Sequence, residues 1–255
     1  MAGTPSYNPP MRCHYLRSSL LALGLLLGGL AGAADLPGPR DALFVGNSFT
    51  YYNNGLHHHY RELVRATADD GSRRVRSQTI SGGYLPEHDG ALGTLLREQS
   101  WDVVVLQGYS RGPIEDASAP AFRDAARRYA ERIRLRGAEP VFFMTWAYTS
   151  RPEMTEPLAA AYTSIGRELG ARVAPVGLAF ATVRAERPDL PLITGDDKHP
   201  TPAGTYLAAC TFYALLHGVS PEGNPYLADL PEGVAGYLQR VAWATVGAYE
   251  QPLAD

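Results

Sequence analysis

Five short apolar runs, at residues 42–45, 75–80, 101–106, 141–145 and 173–176, are separated by longer segments with helical periodicity. No other feature restricts the fold as strongly. The runs are rich in β-branched and aromatic residues and read as strands apolar on both faces, the pattern of a buried parallel sheet. Between and after them the spacing predicts helices near 55–68, 89–98, 118–136, 154–169, 177–187, 202–217 and 231–248. In "APAFRDAARRYAERIRLRG" the residues Phe122, Ala125, Ala126, Tyr129, Ile133 and Leu135 are expected to face the sheet, and Gly137 to end the helix. Thr201 is placed to cap the 202–217 helix, with Pro202 at its first position. Strand and helix alternating in this way predict one α/β domain over 41–255, with a parallel five-stranded sheet and helices on both faces. Ligands of such sheets bind beyond the carboxyl ends of the strands, so the residues that follow each run carry the functional information.

The first 34 residues are set apart from this pattern. Arg12 and Arg17 precede an apolar stretch at 20–30, and small residues follow, ending in Ala33 and Ala34. That is the layout of a secretory signal peptide, with cleavage expected after Ala33 or Ala34 and a short Pro/Gly leader at 35–40. The apolar stretch is too short for a comfortable membrane span. The reading is therefore an exported protein, periplasmic or extracellular, with no stable membrane anchor after cleavage. Cys13 would leave with the leader and Cys210 would remain unpaired, so no internal disulfide is expected. The formal net charge of −3 gives no case for a nucleic-acid partner. Hydrophobic residues make up 45% of the chain, enough for a sizeable core without disulfides.

Polar residues gather where the runs end. "DALFVGNSFT" stops an apolar run at Gly46 and presents Ser48; "SGGYLPEHDG" brings Gly82 and Gly83; "VVVLQGYS" brings Gln107; and "TGDDKHPTPAGTYLAA" places Asp196 three residues before His199. A serine hydroxyl is a weak nucleophile until a base takes its proton, and the base needs an acid to hold its tautomer. Ser48, His199 and Asp196 can supply those roles, with Asp197 as the fallback acid. The tetrahedral oxyanion needs donors, which the N–H groups of Ser48 and of Gly82 or Gly83, together with the Gln107 amide, can provide. Ser48 also opens a helix, which directs its N–H toward developing negative charge.

These blocks resemble the first, second and last sequence blocks of the SGNH (GDSL-type) hydrolase superfamily. The resemblance spans roughly residues 41–217 and implies a three-layer α/β/α, flavodoxin-like fold. It further implies Ser48 as nucleophile, the Asp196–His199 pair, oxyanion donors, and neither cofactor nor metal. Superfamily members are mostly esterases, lipases, thioesterases and carbohydrate O-acetylesterases. The third block departs from the pattern: in strict register Ser110 stands where an asparagine donor is expected, whereas "QGYS" resembles a Gln-Gly-Glu variant of sialate and carbohydrate O-acetylesterases, which favours Gln107. An α/β-hydrolase fits less well, because its Gly-x-Ser-x-Gly elbow would need glycine at Thr50.

Blander roles compete at each position. Ser48 alone reads as a turn or cap residue, and Asp196 and Asp197 as turn residues; it is their joint occurrence that points to chemistry. The consecutive His57, His58 and His59 diverge on a helix and cannot meet on one metal, though His57 or His58 can line the cleft. His88 either faces the site or caps a helix. Tyr51, Tyr52, Tyr84, Tyr109, Trp146 and Tyr148 follow strands or flank motifs and divide between a sugar- or acyl-binding platform and plain packing. The expected function is hydrolysis of a small-molecule or polysaccharide ester, foremost an O-acetyl ester of a carbohydrate. A lipase, arylesterase or thioesterase of the same fold is the first alternative, and a non-catalytic carbohydrate-binding protein the second.

Overall fold

The carboxyl ends of five parallel strands form one edge, and every candidate block sits on it. The strands are β1 (Asp41–Gly46), β2 (Arg74–Thr79), β3 (Val103–Gln107), β4 (Glu139–Phe143) and β5 (Arg172–Ala174). They pair in the order β2-β1-β3-β4-β5, every pair parallel. The computed structural model describes residues 1–3, 36–67 and 73–249. Arg12, Arg17, Cys13, Ala33 and Ala34, on which the leader reading rests, lie outside them. The described residues from 36 onward form one compact unit, which contains all the elements described below.

The helices are α1 (Ser48–Tyr51), α2 (Leu56–Arg65), α3 (Asp89–Glu98), α4 (Ala119–Arg134), α5 (Thr155–Glu168), α6 (Val176–Glu186), α7 (Pro202–His217) and α8 (Glu232–Ala248). They flank the sheet in the three-layer arrangement that the alternation predicts. The central strands explain why: β1 and β3 are buried almost throughout, so both of their faces need cover. From β1, Phe44 packs edge-on against Phe212 of α7 and tilted against Tyr60 of α2. Each such ring removed from water contributes about 2–3 kcal/mol before entropy is counted. The α7 helix is apolar nearly all round and almost wholly buried, as expected of a helix held between α2, α6 and α8. Thr201 caps it by accepting from the Gly204 N–H. Among the described residues no helix is long and apolar enough to cross a membrane.

Two expectations need correction. The β2 strand is not apolar on both faces: it is an edge strand, and only Val75 is buried in it. Leu135 does not face the sheet but is 76% exposed, because α4 ends at Arg134 and the chain has already turned away toward Gly137, whose φ is +76°.

Candidate active site

At the end of β1 a cluster of amides fixes the turn that presents Ser48. Asn47 precedes α1 and caps it, its Oδ1 accepting from the Phe49 N–H at 3.2 Å. The same oxygen accepts from Gln107 Nε2 at 2.6 Å, while Asn47 Nδ2 donates to the Gly83 carbonyl at 3.0 Å. Gln107 Oε1 in turn accepts from the Asn47 N–H at 3.2 Å and from the Thr50 hydroxyl at 2.7 Å. This network ties the ends of β1, β2 and β3 together. Gly46 makes room for it: a Cβ there would lie 2.4 Å from Gln107 Oε1 and 2.5 Å from Thr50 Oγ1. Sequence reasoning passed over Asn47; the signal available was a small amide wedged between Gly46 and Ser48.

The loop before α7 brings the imidazole. His199 Nε2 lies 2.9 Å from Ser48 Oγ, and its Nδ1 is hydrogen-bonded to Asp196 Oδ2. Asp196 Oδ1 accepts from the Thr194 hydroxyl at 2.7 Å and from the N–H groups of Lys198 and His199 at 3.1 and 3.0 Å. Partial burial pushes the Asp196 carboxyl up, but these hydrogen bonds outweigh it and hold the group well below the ordinary carboxylate range. Asp197 looks elsewhere: its carboxylate accepts from the Ser150 N–H and hydroxyl, each at 2.6 Å, anchoring the loop to the segment after β4. The Trp146 indole adds a second anchor by donating to the Lys198 carbonyl at 2.9 Å. Trp146 is itself stacked between Phe49 and Phe180, with ring centroids 4.1 and 4.2 Å away. Tyr52 lies flat on the outer face of the His199 ring.

These residues border a cleft of about 250 Å³, lined by Asn47, Ser48, Tyr52, Gly82, Ser110 and His199 among others. Of the expected oxyanion donors, the N–H groups of Ser48 and Gly82 have no acceptor among the described residues, and both residues line the cleft. Gly82 has φ +65°, a left-handed conformation that favours glycine. Gly83 does not fit that role, since its N–H is bonded to the Ile80 carbonyl at 3.0 Å. Gln107 does not fit it either: it is buried, absent from the cleft wall, and its amide group is committed to Asn47 Oδ1 and the Gly108 carbonyl. A buried amide this close to three strand ends makes its bonds within the fold. Ser110 does line the cleft, and its hydroxyl lies 2.6 Å from that of Tyr148.

The remaining candidates separate clearly. Tyr51, Tyr52 and Tyr109 line the cleft, Tyr84 stacks on Tyr109, and Trp146 is buried packing. Neither His57 nor His58 lines it; His59 is bonded to the Asn53 carbonyl and the Tyr226 hydroxyl. His88 neither faces the cleft nor caps α3 by a hydrogen bond: its ring is fully buried, without a polar partner among the described residues. Cys210 is buried in α7, and burial pushes its thiol far up. A larger groove of about 530 Å³ beside α6 and α8, walled by Leu178, Tyr237 and Val241, contains no serine–histidine pair, so chemistry rather than size singles out the cleft at the strand ends.

No family model and no curated protein matches this chain. Solved structures do. A protein from Slackia heliotrinireducens assigned to the SGNH hydrolases is 30% identical, with a TM-score of 0.55, the match covering 66% of this chain and 94% of that one. A DUF4886 family protein from Bacteroides uniformis is 18% identical with a TM-score of 0.60, over 82% of this chain and 94% of that one. A catalytic mutant of an acetylxylan esterase from Geobacillus stearothermophilus is 13% identical with a TM-score of 0.59, over 73% and 98%. At those identities the last two show a shared fold.

Proposed function

Because this chain belongs to the SGNH hydrolases, a superfamily of serine ester hydrolases, we propose that it is an exported esterase that removes acetyl groups from a carbohydrate, using Ser48, His199 and Asp196. The observation that carries this reading is the 2.9 Å approach of His199 Nε2 to Ser48 Oγ, with Asp196 bonded behind the ring. Asp196 keeps the proton on Nδ1, which leaves Nε2 free to accept the Ser48 proton as Oγ attacks the ester carbonyl. The oxyanion rests on the N–H groups of Ser48 and Gly82 and on the Ser110 hydroxyl. Tyr148 supports the last of these: with its phenol donating to Ser110 Oγ, the Ser110 proton turns into the cleft. The imidazolium then gives its proton to the sugar oxygen as the C–O bond breaks, so that the sugar leaves with a free hydroxyl. Water hydrolyses the acetyl-enzyme by the same steps, with His199 again as base.

The cleft supports a short acyl group, since about 250 Å³ falls below the 300–1,000 Å³ typical of drug-sized ligand pockets. The tyrosines at its rim support a sugar as the leaving group. Export rests on the basic, apolar and small-residue pattern of residues 1–34. The test is acetate release from p-nitrophenyl acetate and from a panel of acetylated polysaccharides. Ser48→Ala should abolish it, and a fluorophosphonate should label Ser48. Equal rates in Ser48→Ala and wild type overturn the reading, and faster turnover of long-chain than acetyl esters replaces it with a lipase.

A further inference from the structure

Of the 23 lysines and arginines in the chain, Lys198 alone is lysine, and it lies in the wall of the cleft one residue before His199. The other lining residues, among them Ser48, Tyr52, Tyr109 and Ser110, include no carboxylate and no other lysine or arginine. The Lys198 backbone is fixed at both ends, its N–H on Asp196 Oδ1 and its carbonyl on the Trp146 indole. Its ammonium, by contrast, has no ion-pair or hydrogen-bond partner among the described residues. The two nearest carboxylates in sequence are occupied elsewhere, Asp196 by His199 and Thr194 and Asp197 by Ser150.

Arg127 with Glu168, Arg172 with Glu139 and Arg187 with Asp189 each engage both oxygens of a carboxylate within the fold. Those guanidinium forks are locked into structure, whereas an ammonium is a compact point charge on a flexible stem. An unpaired cation on a residue that lines the same cleft as Ser48, where no other lining residue bears a fixed charge, is suited to recognise an anion. The negative charge of the whole chain argues against binding a long polyanion through a broad field. It does not weaken a single contact beside the reacting ester.

We propose that Lys198 reads a negative charge on the substrate, so that the ester cleaved sits on, or next to, a sugar unit bearing a carboxylate or a sulfate. This rests on the esterase reading above. The test compares kcat/KM for an O-acetylated oligouronate, an O-acetylated sulfated oligosaccharide and a neutral O-acetylated xylo-oligosaccharide. An anionic substrate should be preferred about tenfold, mostly through KM, with the preference shrinking as salt is raised. The two anionic arms tell carboxylate from sulfate. Lys198→Met should cut the anionic-to-neutral ratio about tenfold, while Lys198→Arg should keep most of it. A neutral substrate turned over as well as both anionic ones overturns the proposal, as does a Lys198→Met enzyme that loses rate on all substrates alike. Wild-type activity on esters without charge preference sinks this inference alone; no activity on any ester, p-nitrophenyl acetate included, sinks the esterase reading with it.

Discussion

Tyr52 lies face to face on His199, with ring centroids 4.1 Å apart and planes 2° from parallel. The stack blocks rotation of the imidazole away from Ser48, and it offers an electron-rich face to the ring when that ring becomes positive during proton transfer. Such contacts contribute about 0.5–2 kcal/mol depending on solvent access. Tyr52→Leu should therefore lower kcat by roughly 3- to 30-fold with little change in melting temperature, and Tyr52→Phe should retain most of the rate. An unchanged kcat in Tyr52→Leu would leave the stack as packing alone.

Gln107 and Ser110 should fail in different ways. Gln107→Leu strips partners from the Asn47 amide and the Thr50 hydroxyl, both buried, so it should cost about 3 kcal/mol and lower the melting temperature by roughly 6–12 °C. Ser110→Ala leaves that network intact and should lower kcat about 10- to 100-fold at nearly constant KM and melting temperature. Thermal melts run beside steady-state kinetics read both outcomes. A stable Gln107→Leu with collapsed kcat would return the donor role to Gln107.

The two adjacent aspartates should also part company. Asp196→Asn removes the acceptor that holds the His199 tautomer and should reduce kcat by roughly 10²- to 10⁴-fold. Asp197→Asn weakens an anchor to Ser150 and should cost roughly tenfold or less, as a loosened loop would. Single-turnover kinetics on both variants make the comparison, and similar losses in the two would undo the assignment of Asp196 as the orienting acid.

Much of this edge is legible in the sequence alone. Pro202 and His217 bound α7 where Thr201, Pro202 and the apolar run place them, because caps are local chemistry. Asp196 and His199 sit three residues apart on one turn, so their pairing needs no long-range knowledge. The misreadings are tertiary. Nothing in "VVVLQGYS" says whether the Gln107 amide points into the cleft or back onto Asn47; that depends on a Gly46 sixty-one residues earlier leaving room for it. The edge position of β2 likewise depends on strand order rather than on its own residues. Lys198 became informative only once its neighbours were seen to be paired elsewhere.

Buried histidines set the acid limit of the fold. Burial lowers His217 to about 4 and His57 to about 4, and it lowers His88 as well. His217 is held neutral between the Tyr60 hydroxyl and the Pro37 carbonyl. In the unfolded chain each ring titrates near 6.5, so between about pH 6.5 and 4 the unfolded state binds protons that the folded state refuses. Stability should accordingly fall as the pH drops from 7 through that window, by up to roughly 3 kcal/mol for His217 alone. This loss precedes any from Asp196, whose lowered pKa costs stability only below the ordinary carboxylate range. Urea denaturation at pH 7.5, 6 and 5 measures the slope. His217→Gln should lower stability at pH 7.5 yet flatten the decline by nearly one proton, whereas a variant that keeps the wild-type slope would show that His217 does not carry it.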